Sequence, residues 1–274
     1  MNNKKFFETN LKRWNELVDI NAKSRYYDLE GFKSGKISLL PIELEELGDV
    51  AGKTLLHLQC HFGMDTLSWA KLGAQVTGID FSDRAITLAQ DLSKELGIPA
   101  RFINANLYDI PNILNEKFDI VYTSYGTICW LPNLTQWAQI IKKSLNSGGI
   151  FYIIDGHPFG FIIDEKQEPF KVGFNYFSEG KPIFFDDGDA YADPSTDLKN
   201  QASYQWDHPM SEIINVLLNA KLKIEFLHEF PFTFHKIHPD MERREDGYYE
   251  FSNLKFSVPM MFSIKARKKA KKKI

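Results

Sequence analysis

The chain has 274 residues, 43% hydrophobic and 25% charged, an ordinary balance for a globular protein with a substantial core. Its net charge of −3 falls to about −10 once the seven basic side chains between Lys265 and Lys273 are set aside, so the body has no electrostatic footprint for nucleic acid. Cys60 and Cys129 lack the spacing of a zinc site or a CxxC pair; the start MNNKKFFETN has no apolar signal core, and no window approaches the ~18 apolar residues of a membrane span. A cytoplasmic protein, without membrane association, is expected.

Phe7, Leu11, Trp14 and Val18 fall at helical spacing, followed by Ser24-Arg25-Tyr26-Tyr27 and a turn-rich stretch with Gly31 and Gly35. A second helix is expected from Pro41, with Ser38 as its cap and Leu44 and Leu47 on its buried face. Residues 1–50 are therefore read as an amino-terminal helical cap on a domain spanning 51–267.

From Thr54 the chain alternates strand and helix, the signature of a parallel α/β sheet. Strands are predicted at Thr54 to Leu58, Gln75 to Asp80, Ala100 to Asn104, Phe118 to Ser124 and Gly149 to Asp155. Helices are expected at Asp65 to Leu72, at Asp83 to Leu96 behind the cap Ser82, and at Leu134 to Leu145 before Ser147-Gly148-Gly149. The alternation then stops. Residues 157–208 carry Phe159, Phe161, Phe170, Phe174, Tyr176, Phe177, Phe184, Phe185, Tyr191, Tyr204 and Trp206 among Pro, Gly and Asp, and are read as an inserted element with short strands covering a site. A helix near Ser211 to Ala220, strands near Leu222 to Phe230 and Pro259 to Ala266, and a frayed basic tail over 268–274 complete the chain. The sequence carries no signal of oligomeric state.

The chemistry gathers at the strand ends. The run from Leu55 to Gly63 is a strand followed by a tight turn, and Gly78-Ile79-Asp80 closes the next strand on a carboxylate. Together they make the first half of a nucleotide-binding βαβ unit. Backbone N–H groups around Gly63 can meet a ligand carboxylate or phosphate, and Asp80 is placed to accept from ribose hydroxyls. Asn106 and the Leu107 N–H reach the same crevice for an adenine, and Ser124-Tyr125-Gly126 approaches from the other side of the switch point.

This order resembles the class I S-adenosylmethionine-dependent methyltransferases. Leu55, Leu56, Leu58, Cys60 and Gly63 match the family's VLDLGCGTG-like first motif, whereas His57, Gln59, His61 and Phe62 depart from it. Asp80 matches the ribose-binding acid. Asn106 to Pro111 is similar to the DAEDLP-like motif, Phe118 to Val121 to FDxV, and Leu145 to Gly149 to LxPGG. The resemblance implies a doubly wound Rossmann-like seven-stranded sheet, mostly parallel with an antiparallel last strand. It implies S-adenosylmethionine as cofactor, held around Gln59, Cys60, His61, Phe62, Gly63, Asp80, Phe81, Asn106, Leu107, Ser124 and Tyr125. A GxGxxG dinucleotide fingerprint would need glycine at Gln59, His61 and Met64 and finds none, which disfavours a nicotinamide enzyme.

Methyl transfer requires an aligned acceptor and, for many acceptors, a base. His157, Asp155 and His208 are the candidates, each with a competing role in satisfying turn amides or a helix start. His61 is expected to touch the cofactor or to bond a neighbouring strand end; His57, inside a strand, reads as a core histidine. Tyr26 and Tyr27 either close over the cofactor or pack. His235, His238 and Asp240 beside Pro239 read as surface residues, so no metal is expected. The aromatic insertion favours a small, planar or apolar acceptor shielded from water. The rival reading is a non-catalytic S-adenosylmethionine-binding or partner-binding protein, motivated by Gln59 and His61 standing where glycine is usual.

Overall fold

The computed structural model describes residues 3–164, 171–177, 180–252 and 254–270. Helix α1 (Lys4–Asn21) buries Asn10, Arg13, Leu17, Val18 and Asn21. Three of these five are polar, so the helix is amphipathic in period but is not simply pressed onto apolar core; it lies between the main domain and a polar partner described below. A short α2 (Leu29–Lys33) follows Asp28, which caps it from a left-handed backbone. Helix α3 (Pro41–Leu47) starts after extended Leu40, whose N–H donates to Glu43 Oε1 at 2.6 Å. The expected cap, Ser38, does other work: its Oγ donates to Asp65 Oδ1 at 2.6 Å and ties the segment to the next helix.

The alternating core then runs β1 (Thr54–Leu58), α4 (Met64–Lys71), β2 (Gln75–Asp80), α5 (Asp83–Leu96), β3 (Arg101–Asn104), α6 (Ile110–Ile113), β4 (Phe118–Ser124), α7 (Leu134–Ser144) and β5 (Leu145–Gly156). Helix α5 is closed at both ends: Ser82 Oγ accepts from the Ala85 N–H, and Gly97 takes the left-handed conformation after the last turn. Neighbouring strand residues point to opposite faces. Leu56, Val121 and Ile153 face α7 and the later α8 (Met210–Asn219), while Leu55, Ile120, Tyr152 and Ile154 face Trp69 of α4 and Leu47 of α3.

Beyond β5 the insertion folds as two small antiparallel pairs, β6 (Ile183–Asp186) with β9 (Ala202–Gln205), and β7 (Asp189–Ala190) with β8 (Asp193–Asp197). Phe170 lies outside the described residues. The insertion is the polar partner of α1. Asn10 exchanges two hydrogen bonds with the Tyr204 backbone, both 2.8 Å, and Arg13 Nη2 meets Asp187 Oδ1 at 2.7 Å. Glu16 accepts from the Lys199 and Asn200 N–H groups.

After α8 come β10 (Leu222–Phe230), the small sheet β11 (Phe232–Thr233), β12 (Met241–Arg243) and β13 (Tyr249–Phe251), and finally β14 (Met261–Lys268). The main sheet has the order β10-β14-β5-β4-β1-β2-β3; β1 through β5 pair in parallel, and β14 runs antiparallel to both β5 and β10. This is the seven-stranded Rossmann-like sheet with an antiparallel last strand. The basic tail is shorter than expected. Lys265, Arg267 and Lys268 belong to β14, with Lys265 donating to Glu46 O, Arg267 pairing with Glu225, and Lys268 donating to Lys142 O and Leu145 O. Residues 271–274 lie outside the described residues.

Candidate functional site

The switch point of an open α/β sheet lies where strand order reverses, here between β1 and β4, and ligands bind beyond the carboxyl ends of the strands there. A crevice lies at that edge, lined by Leu58, Gln59, Ile79, Asp80, Phe81, Ala105, Asn106, Leu107 and Ile110. Phe7 and Asn10 of α1, with Trp130 and Leu131, complete its wall. Sequence reasoning missed these four, because their proximity comes from tertiary packing rather than from any local motif.

Asp80 is buried, and its carboxylate is held by two backbone donors: the His61 N–H to Oδ2 at 2.8 Å and the Ser82 N–H to Oδ1 at 2.9 Å. Burial pushes its pKa up to about 6, against the opposing pull of those N–H groups. Each oxygen keeps lone-pair capacity, so the carboxylate can still accept from a diol. Asn106 lines the cavity, and its Oδ1 also accepts the Tyr108 N–H at 3.0 Å, capping the turn over Leu107–Asp109.

The turn between β1 and α4 explains the departures from the glycine motif. Gln59 has φ 57°, His61 φ 51° and Gly63 φ 82°, so the chain follows a left-handed path at all three positions although only one is glycine. Side chains hold the two strained residues. Gln59 Nε2 donates to Thr127 O at 3.0 Å, and the His61 ring packs among Trp14, Tyr27 and Phe62, with centroids 5.4, 5.5 and 4.4 Å away. Burial pushes the His61 pKa down to about 3, so the ring is neutral. Tyr27 and Tyr191 meet hydroxyl to hydroxyl above it, joining cap and insertion.

Four further expected contact residues have side chains engaged with the protein itself. Cys60 is a buried thiol packed toward Gly78, where an added Cβ would lie 2.8 Å from its Sγ, and Phe62 is fully buried in the cluster with α5. Ser124 faces inward, donating to Asp65 Oδ2 at 3.2 Å beside His57 Nε2 at 3.4 Å. Tyr125, at φ 51°, turns its ring onto Phe234, 4.7 Å away, on the far side of the sheet end. His57 itself is a core histidine, bonded at Nδ1 to Thr66 Oγ1 and pushed to a pKa of about 3 by burial.

The three candidate bases are each held by hydrogen bonds. Asp155 is buried and accepts from the N–H groups of Gly126, Thr127, Ile128 and Gly156 and from Thr127 Oγ1. Five donors make it the anchor of the loop after β4. His157 points away from the crevice: its Nδ1 accepts the Phe159 N–H at 3.0 Å and its Nε2 lies 2.9 Å from Glu229 of β10. His208 lies at the edge of a second cavity, with both ring nitrogens engaged, Nε2 on Leu131 O at 2.7 Å and Nδ1 at 3.1 Å from Glu212.

That second cavity is lined by Ile128, Cys129, Gly156, Pro158, Phe161, Asn175, Tyr176, Trp206 and Asp207, with His208. One short segment runs between the two, Ile128 and Cys129 lining this cavity and Trp130 and Leu131 the first. The histidines of the loop before β12 are not surface residues. His238 is buried, its Nδ1 accepting the Asp240 N–H, and His235 sits edge-on to Tyr26 and Tyr191. Among the described residues no group of three or more His, Cys, Asp or Glu side chains could hold a metal ion. None of their helices is long and apolar enough to cross a membrane.

Residues 56–153 match the methyltransferase domain family, and with them the crevice of Gln59, Asp80 and Asn106. Over this stretch the chain is similar to methyltransferase domains. The ubiquinone biosynthesis O-methyltransferase of Proteus mirabilis is 26% identical over 182 residues, 64% of this chain and 71% of that protein. That of Xanthomonas euvesicatoria is 27% identical over 47% of this chain and 55% of its own length. In solved structures the methyltransferase fold recurs. The S-adenosylmethionine-dependent methyltransferase of Mesorhizobium loti superposes with a TM-score of 0.57 at 18% identity, covering 86% of this chain and 99% of that one. Geranyl diphosphate C-methyltransferase of Streptomyces coelicolor, solved with S-adenosyl-L-homocysteine, gives 0.52 at 13% identity, covering 83% and 77%. The residues around this crevice fit the cofactor chemically: a buried carboxylate with spare acceptor capacity for a diol, and a buried Gln59 Oε1 without a hydrogen-bond partner.

Proposed function

We propose that the chain transfers a methyl group from S-adenosylmethionine to a small-molecule acceptor. The observation that carries this reading is the pair of adjoining cavities at the carboxyl edge of the sheet, one built on Asp80 and Asn106, the other walled by the aromatic insertion. The cofactor, when bound, supplies a methyl group already activated by its sulfonium. The protein's task is then alignment, water exclusion and removal of the acceptor's proton.

Asp80 would hold the ribose diol, with Phe81, Asn106 and Leu107 flanking the adenine and Gln59 and His61 at the turn toward the amino-acid end. Phe161, Tyr176 and Trp206 suit a planar acceptor in the second cavity. Asp207 lies beside them; burial raises its pKa and makes it a better base than an exposed carboxylate. His208, fixed between Leu131 and Glu212, positions that segment. Residues 1–50 act as the cap, residues 51–267 as the transferase domain, and residues 157–208 as the cover of the acceptor. The names of the Proteus and Xanthomonas relatives support a hydroxyl acceptor.

Isothermal titration of the full chain with S-adenosylmethionine, S-adenosylhomocysteine and NAD tests the cofactor, and transfer of labelled methyl groups to a panel of phenols and catechols tests the acceptor. Binding of NAD alone would overturn the reading. Cofactor binding without transfer to any phenol, catechol or amine would instead favour the non-catalytic alternative.

A further inference from the structure

Helix α1 runs along the cofactor crevice. Phe7 and Asn10 line the cavity that holds Asn106 and Leu107, Trp14 packs on Trp130 and His61 at 5.3 and 5.4 Å, and Asn21 Nδ2 comes within 3.5 Å of His61 Nε2. At ~1.5 Å rise per residue, Asn10 and Asn21 stand about 16 Å apart along the axis. The helix therefore reaches from the adenine end of the crevice to the β1–α4 turn.

Asn21 is 0% exposed. Its Nδ2 donates to Tyr191 Oη at 2.9 Å, while its Oδ1 is buried and has no hydrogen-bond partner. Gln59 repeats the pattern at the turn: Nε2 is bonded to Thr127 O, and Oε1 is buried with no partner. A buried acceptor left without a donor is costly, of order 1–3 kcal/mol, and such atoms in a native fold call for a ligand or water that satisfies them. Both atoms belong to residues in or against the turn that carries His61. The His61 ring between them is neutral and packed among aromatic rings, and what an unpaired amide oxygen lacks is a donor.

We propose that Asn21 and Gln59 together receive the α-ammonium of the cofactor's amino-acid end, so that α1 distinguishes a full S-adenosyl amino acid from shorter adenosine thioethers. An ammonium offers three N–H donors and a charge that strengthens each bond. The inference rests on the cofactor reading above. Tyr191 orients the Asn21 amide by occupying Nδ2, which couples the insertion to the same end of the ligand.

The test is titration of the full chain and its Asn21→Ala and Asn21→Asp variants with S-adenosylhomocysteine and with 5′-methylthioadenosine, which lacks the amino-acid end. Asn21→Ala is expected to weaken S-adenosylhomocysteine about 10- to 100-fold, the range for a lost charged hydrogen bond, and to leave methylthioadenosine within about twofold. Asn21→Asp keeps an acceptor oxygen and should restore most of the affinity. Equal weakening of both ligands, unchanged S-adenosylhomocysteine binding, or an Asp variant as weak as Ala would overturn the proposal. A wild-type chain that binds both ligands equally would sink this inference and leave the cofactor reading standing; one that binds neither would sink the cofactor reading itself.

Discussion

Asp80→Asn separates charge from shape at the centre of the crevice. Asp80 has a pKa raised to about 6 by burial, and its two oxygens accept the His61 and Ser82 N–H groups at 2.8 and 2.9 Å. In the Asp80→Asn variant one oxygen becomes an NH2 facing one of those N–H donors, so folding stability should fall by about 1–3 kcal/mol. Loss of the charged acceptor should cost a similar amount in cofactor affinity, roughly 5- to 150-fold. The wild-type chain should also bind S-adenosylhomocysteine about tenfold more weakly at pH 5 than at pH 7.5, because only about a tenth of a group with that pKa is ionised at the lower value. Apo stability runs the other way. The folded pKa lies above the ordinary 3.8, so this group's contribution is full below about 4 and is lost as pH rises through about 6. Titration calorimetry at the two pH values, with thermal melts alongside, reads both signs. A wild-type affinity that is flat with pH, or one that the Asp80→Asn variant matches at pH 7.5, would refute the assignment of Asp80 to the ribose.

Glu43 is buried against Tyr122, whose hydroxyl donates to Oε2 at 2.6 Å, and burial with the nearby Asp65 carboxylate pushes its pKa up to about 8. Its contribution to stability is therefore full below the ordinary 4.5 and lost as pH rises through about 8, so Glu43→Gln should flatten the decline of melting temperature between about pH 5 and 9; parallel profiles would contradict this. Gly63→Ala would place a Cβ 2.8 Å from Ala89 and from the Phe102 ring at φ 82°, and urea denaturation should show a loss of about 2–4 kcal/mol from strain and overpacking together. Asp207→Asn should lower kcat for a methylated phenol at least about tenfold while leaving S-adenosylhomocysteine affinity unchanged, and an unaltered kcat would remove Asp207 from proton transfer.

The parts of this fold that are legible in the sequence are those whose pattern is local. β1, β2, β4 and β10 begin and end where apolar alternation and turn residues place them. The last strand extends past its expected end because Arg267 and Lys268 look like the start of a solvated tail; in the sheet their heads reach backbone carbonyls and Glu225 while Ile264 and Ala266 fill the core. Asp80 is legible for the same reason as its strand, since a carboxylate closing an apolar run has few other uses. Ser124 and Tyr125 are not. Their direction depends on a left-handed Tyr125, a conformation that no residue type announces in a β-branched and aromatic neighbourhood. The α1 contacts are invisible too, because helical periodicity draws attention to an apolar stripe, whereas buried Asn10, Arg13 and Asn21 make the contacts.

The altered turn looks in the sequence like a damaged glycine motif, but its geometry argues otherwise. Gln59 and His61 keep the left-handed path, at a cost of roughly 1–2 kcal/mol each. A relic under no constraint would gain by relaxing that path. Here it is held by the Gln59 bond to Thr127, by the aromatic ring set around His61, and by the His61 N–H on Asp80. The same side chains that replace glycine bring a buried unpaired oxygen and a neutral imidazole to the turn. Bare backbone at those positions could offer neither group. Strain maintained by this many separate contacts, at a turn that meets both Asp80 and α1, is not what a damaged motif free to relax would keep.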